Sequence, residues 1–207
     1  MATRYRKLLR IGIYVMSRAP NLAHSINRQT SPNQVSIDER PAIVDTKQHF
    51  GDWEGDTVIG KGHRGALVTL VERKSLYTVI RAVLYKTAEA VRNAVTDGLT
   101  PYIDRVHTIT YDNGREFADH EGMASDLETR IYFAHPYSSW ERGLNENTNG
   151  LIRQYFPKNR DLRTVTKREV EKAMDKLNHR PRKSLGYRTP YEVFFNIRTS
   201  LTVALQS

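Results

Sequence analysis

The chain first declares itself through the spacing of its apolar residues, which becomes regular from about Val44. Trp53 to Ile59 reads as a strand, closed by the glycine-rich turn Gly60-Lys-Gly-His-Arg-Gly65. Ala66 to Val71 and Tyr77 to Leu84 are rich in Val, Leu, Ile and Thr and predict two more strands. Short links between these three suggest an antiparallel meander. Ala88, Val91, Ala94, Val95 and Leu99 then recur at helical spacing. Val106 to Tyr111 predicts a fourth strand, ending in Asp112-Asn-Gly, and Arg130 to Ala134 a fifth, with a short helix between them over Gly122 to Glu128. Leu144, Thr148, Leu151, Ile152 and Tyr155 mark one face of a second long helix, stopped by Pro157. Val170, Ala173, Met174 and Leu177 mark a third, and Thr189-Pro190 opens a last short one, with Thr as cap and Pro at the first helical position. A meander followed by crossover units predicts an α/β domain around a mixed sheet.

The stretch before this pattern differs in kind. Residues 1 to 37 hold six basic side chains (Arg4, Arg6, Lys7, Arg10, Arg18, Arg28) and no acid, and Asn, Ser, Gln and Pro are dense from Pro20 to Pro32. That composition predicts a basic, weakly folded arm. The expected organisation is therefore an arm over 1–34, a folded domain over 35–199 and a tail over 200–207. Across 207 residues, 32 Lys and Arg face 23 Asp and Glu, a formal charge of +9. Such a surplus attracts polyanions, although charge alone does not separate a nucleic-acid binder from a merely basic protein. The absence of cysteine excludes disulfides and thiolate metal sites. The apolar run Leu8 to Met16, broken by Arg10, is too short to span a bilayer, so a cytoplasmic protein is expected.

Carboxylates carry the candidate chemistry. Asp52, Glu54 and Asp56 alternate along the first strand and so share one face. Three acids on one face predict that this face looks outward or into a site. Asp112 ends the fourth strand, where ligands of α/β sheets gather, although Asp-Asn-Gly also suits an ordinary turn. Glu146 shares a face of the second long helix with Asn149, Gly150 and Arg153, away from the apolar stripe, where a solvent-facing glutamate is the plainer reading. Acids from separate elements are the donors that a pair of Mg²⁺ or Mn²⁺ ions needs for phosphodiester chemistry.

Longer motifs decide between these readings. Gly51-Asp-Trp-Glu-Gly-Asp56-Thr, Thr110-Tyr-Asp112-Asn-Gly-Arg-Glu-Phe117 and the segment from Pro136 through Glu146 to Pro157 resemble the three acidic motifs of the insertion-sequence-thirty family of transposases. Leu177 to Val193 is similar to that family's closing segment. The resemblance covers about Val35 to Phe195, and 33 residues separate Asp112 from Glu146, a spacing that fits a DDE triad. It implies a ribonuclease H-like integrase core with a five-stranded mixed sheet flanked by helices. It selects Asp56 over Asp52 and Glu54, and names Asp56, Asp112 and Glu146 as catalytic and metal-holding, with two Mg²⁺ or Mn²⁺ ions and no small-molecule cofactor. Glu54 becomes a supporting residue, and Glu116 is set aside as too close to Asp112 to come from a separate helix. The implied reaction hydrolyses a DNA strand at the element's end, and the freed 3′-hydroxyl then attacks target DNA. Partners would be element-end and target DNA and further copies of the chain, with no membrane.

Around this triad, Arg142, Arg153, Lys158 and Arg160 are candidate DNA contacts, with Arg163 beside them. Trp140 is expected to pack at the helix start, His63 to sit exposed in the first hairpin, and Arg180, Arg182 and Lys183 to form a further basic cluster. Family members place helix-turn-helix regions before the core, and residues 1 to about 33 match none of this. The expectation is a truncated copy with an intact triad and little autonomous transposition. Two other classes are a ribonuclease H-type nuclease and a non-catalytic DNA-binding or dimerising remnant that modulates full-length transposase.

Overall fold

The computed structural model describes residues 32–136, 138, 141 and 143–197. The expected tail, most of the expected arm, Trp140 and Arg142 lie outside the described residues. Five strands form one sheet: β1 (Asp52–Ile59), β2 (Ala66–Glu72), β3 (Thr78–Val83), β4 (Thr108–Tyr111) and β5 (Arg130–Phe133). Their order is β3-β2-β1-β4-β5. The β1–β2 and β2–β3 pairs are antiparallel, and β1–β4 and β4–β5 are parallel. This is the mixed sheet expected from a meander followed by crossovers.

Among the described residues, five α-helices accompany the sheet: α1 (Ala88–Leu99), α2 (His120–Asp126), α3 (Gly143–Ile152), α4 (Lys167–Asn178) and α5 (Pro190–Phe194). Apolar side chains gather into two clusters, one on each face of the sheet. Val68, Leu70, Val79, Ile109 and Tyr111 pack with Val91, Val95 and Leu99 of α1 on one face. Val58, Leu67 and Ile80 pack with Ile152, Val170, Ala173 and Leu177 of α3 and α4 on the other. Both faces of β2 are thus covered, which accounts for its nearly continuous apolar run and its complete burial.

Sequence patterning places every one of these elements, with displaced ends. The second long helix stops at Ile152 rather than running to Pro157. Beyond it, Tyr155 N–H and Phe156 N–H bond to Ile152 O in a closing turn that buries Phe156 against the α4 side of the sheet. The short helix begins two residues early, at His120. Aromatic packing seats α5: Phe194 stacks on Tyr77 at 4.5 Å between ring centroids and meets Trp53 edge-on at 5.9 Å. No described helix is long and apolar enough to cross a membrane.

Candidate active site

Register brings the first two candidate acids together. In the parallel ladder, Asp52 pairs with Thr108, Trp53 with Ile109 and Glu54 with Thr110. The ladder leads toward Asp56, two residues beyond Glu54 on β1, and Asp112, the residue directly after β4. Alternation then puts both on the face covered by α3, since Val58 of β1 packs on that side while Ile109 and Tyr111 pack on the other. Gly55 lies between, and a Cβ there would stand 2.0 Å from the Tyr111 ring, so only glycine lets the two strand ends approach this closely.

Each acid is held by local bonds. Asp56 Oδ1 accepts the Thr57 amide (2.8 Å) and Oδ2 accepts Asn149 Nδ2 (2.8 Å). Asp112 Oδ1 accepts the Gly114 amide (3.0 Å), and Asn113 Nδ2 donates to Ala134 O (2.7 Å). The Asp-Asn-Gly turn is therefore a real Asx turn that also aims a carboxylate at the strand end.

Helix α3 runs along β1 through a ladder of polar contacts. Asn145 Nδ2 donates to Gly55 O (3.2 Å), Asn149 to Asp56, and Arg153 Nη2 to Ile59 O (2.8 Å). Asn145 is 1% exposed, a buried amide that apolar patterning does not reveal. Glu146 is exposed, one helical turn before Asn149 and so beside the residue that touches Asp56. Among the described residues, no three His, Asp or Glu side chains gather closely enough to hold a metal ion. Asp56 thus lies within β1 and bonds to α3, Asp112 directly follows β4, and Glu146 is exposed on α3.

The other acids of β1 correct one expectation. Asp52 and Glu54 do not face outward: both are buried, at 5% and 1% exposure. Asp52 Oδ1 accepts Thr108 Oγ1 (2.7 Å), and Glu54 Oε1 pairs with Arg73 Nη1 (2.6 Å). Arg73 also reaches Asp45 (3.3 Å), which pairs in turn with Arg40. The acidic face is tolerated because Arg73, remote in sequence, closes over it, leaving Asp56 as its accessible end.

Among the basic candidates, Arg153 is half-buried with Nη2 on Ile59 O (2.8 Å), which clamps the end of α3 to β1, and burial lowers its pKa. Arg160 Nη2 pairs with Glu169 (2.7 Å), while Lys158 is exposed. Arg163 pairs with Asp161 (2.7 Å). His63 is exposed, in the β1–β2 turn. Arg182 is half-buried with Nη2 on Leu177 O (3.2 Å), whereas Lys183 is exposed. Glu116 lies in the turn Arg115–Phe117, buried, where its Oε1 accepts Thr57 Oγ1 (2.8 Å) and Lys86 Nζ (2.8 Å). Burial alone would raise its pKa, but the bonds from Lys86 and Thr57 help to bring it below the ordinary value.

Known proteins share this sequence and fold. The transposase for insertion sequence element IS4351 of Bacteroides fragilis is 50% identical over 176 residues, covering 85% of this chain and 54% of that protein. Transposase InsI for element IS30C of Escherichia coli K12 is 41% identical over 162 residues, covering 78% of this chain and 42% of that protein. No family model matches. Among solved structures, the catalytic core domain of BIV integrase superposes with a TM-score of 0.54 at 21% identity, covering 72% of this chain and 95% of that one. The HTLV-2 integrase catalytic core domain in complex with magnesium gives 0.53 at 19% identity, covering 69% and 95%. The chain spans about half the length of the curated relatives it matches. Over most of its length the chain matches transposases of IS30-type insertion elements, and its fold is that of the ribonuclease H-like integrase catalytic cores.

Proposed function

We propose that residues 35–199 form a catalytic domain for metal-dependent cleavage and joining of DNA strands, with Asp56, Asp112 and Glu146 as ligands of divalent cations. The observation that carries this reading is the pairing of β1, which holds Asp56, with β4, which Asp112 directly follows, with Glu146 one turn from the Asp56–Asn149 contact. Carboxylate oxygens are the donors that Mg²⁺ and Mn²⁺ take, and the cysteine-free chain offers no softer alternative here. The residues fit the ions in kind, since all three are carboxylates.

Bound cations would supply an activated oxygen nucleophile and stabilise the charge that develops on the leaving oxygen. The protein's own contribution is placement. Asp56 on β1 and Asp112 directly after β4 would form the floor of the site, and Asn149 bonds the Asp56 carboxylate. Glu146, on the exposed side of α3, would complete the ligand set. Lys158, with Arg160 beside it, would contact the DNA backbone, an electrostatic role that weakens with salt.

Nicking of supercoiled DNA in Mg²⁺ or Mn²⁺ tests this reading. Wild-type chain should nick, chelator should stop it, and Glu146→Gln should reduce the rate by about a hundredfold or more, since even partners of metal ligands matter by 10–100-fold. Equal nicking by wild type and Glu146→Gln would remove Glu146 from the site.

A further inference from the structure

Glu116 has no part in the triad, yet it is built into the same end of the sheet. Its Oε1 receives Thr57 Oγ1, from the residue directly after Asp56, and Lys86 Nζ, both at 2.8 Å. Its other oxygen crowds the Asp112 turn: a Cβ on Gly114 would lie 2.6 Å from Glu116 Oε2 and 2.9 Å from Asp112 Oδ1. One buried carboxylate therefore links the residue after Asp56 to the turn after Asp112. Its side chain is 9% exposed, and that of Lys86 is 32% exposed. Lys86 stands between β3 and Thr87, the N-cap of α1, so its ammonium comes from a third part of the chain.

Electrostatics gives this arrangement a second consequence. A third full negative charge beside Asp56 and Asp112 would strengthen cation binding and offer a competing ligand. The Lys86 ammonium cancels that charge at contact distance, in a partly buried place where screening by salt is weak.

We propose that Lys86 and Glu116 are a positioning pair for the metal site: Glu116 ties the Asp56 and Asp112 strand ends together through Thr57, and Lys86 neutralises it so that it neither binds a cation itself nor adds to the site's charge. The inference rests on the metal-site reading above. It makes Lys86 and Glu116 act on cation affinity with opposite signs, which a purely structural role does not.

Calorimetric titration of the full chain with Mn²⁺ in the absence of DNA provides the test. Lys86→Met uncovers the Glu116 charge and should lower the half-saturating Mn²⁺ concentration at least about threefold. Glu116→Gln leaves the Lys86 charge uncovered and should raise it by a similar factor. The double variant should return close to wild type, and Lys86→Arg should match wild type throughout. Thermal unfolding of each variant checks that the fold persists, and Lys86→Gln replaces Lys86→Met if the latter does not fold. Shifts of the two single variants in the same direction, or no shift in either, would overturn the pairing. Asp112→Asn separates this from the larger reading. If wild type binds no Mn²⁺, or Asp112→Asn binds it equally well, the metal site itself falls and the pairing with it. If Asp112→Asn loses Mn²⁺ but opposite shifts are absent, only the pairing falls.

Discussion

Asp52, Glu54 and Asp56 are three acids of one strand face with three different fates. Asp52 is tied to Thr108, Glu54 to Arg73, and Asp56 to the backbone of Thr57 and the amide of Asn149. A period of two told that they share a face, but nothing local told which of them would be covered. The cover comes from Arg73 on the β2–β3 turn and Asn145 on α3, whose nearness to β1 exists only in the folded sheet. Removing one member of a buried ion pair strands the other charge. Arg73→Met should therefore destabilise the domain by about 3–5 kcal/mol in a urea titration, and adding Glu54→Gln should restore part of the loss. A second residue-scale device is His135, with Nδ1 facing Glu141 Oε1 and Nε2 facing Asp38 Oδ2, each at 2.9 Å. The Glu141 and Asp38 bonds raise the His135 pKa above 6.5. Bonds from Ser36 and His135 lower that of Asp38. The bridge thus contributes most between the two ranges. It is lost as pH rises through the raised histidine pKa, and again in acid as pH falls through the lowered Asp38 pKa. An NMR titration should find His135 deprotonating at lower pH in Asp38→Asn than in the wild-type chain.

Helices and strands were legible where one side of an element is apolar, and less so where polar groups do the packing. The α4 stripe of Val170, Ala173 and Leu177 is buried as its spacing predicts. Its start is held by a capping box: Thr166 Oγ1 accepts the Glu169 amide, and Glu169 Oε2 accepts the Thr166 amide. Thr166→Ala should lower stability by about 1 kcal/mol, measured by chemical denaturation, without altering DNA nicking. Helix α3 was harder to read. Its face toward the sheet carries Asn145, Asn149 and Arg153, which satisfy Gly55 O, Asp56 and Ile59 O in succession. Hydrophobic periodicity cannot weigh such contacts, so it reveals neither the burial of Asn145 nor the bond from Arg153 to Ile59 O. The signal that could have found them is their spacing of four, which lines one face of a helix with side chains able to bond a strand's carbonyls. The β1–β2 turn is a similar case. Its glycines looked like turn residues, but a Cβ on Gly65 would lie 2.7 Å from Arg163 N, so the turn is pressed against the loop that follows α3.

For the whole molecule, the mixed sheet followed from the order of elements, while the choice of Asp56 over its neighbours followed from resemblance to a family. The fold separates Asp56 from its neighbours physically: Asp52 and Glu54 are buried, whereas Asp56 is only half-buried and bonds to α3 through Asn149. The basic balance of +9 suits a DNA substrate, and the acids lie at one end of a sheet whose two faces are otherwise filled by apolar side chains. The central claim is that Asp56 and Asp112 hold a catalytic cation together. It is tested most directly by anomalous diffraction from crystals of the chain soaked in Mn²⁺. The account predicts a manganese peak bridged by both carboxylates, with oxygens at roughly 2.1 Å by analogy with Mg²⁺, and its loss in Asp112→Asn. A peak bound elsewhere, or one that survives Asp112→Asn unchanged, would contradict it.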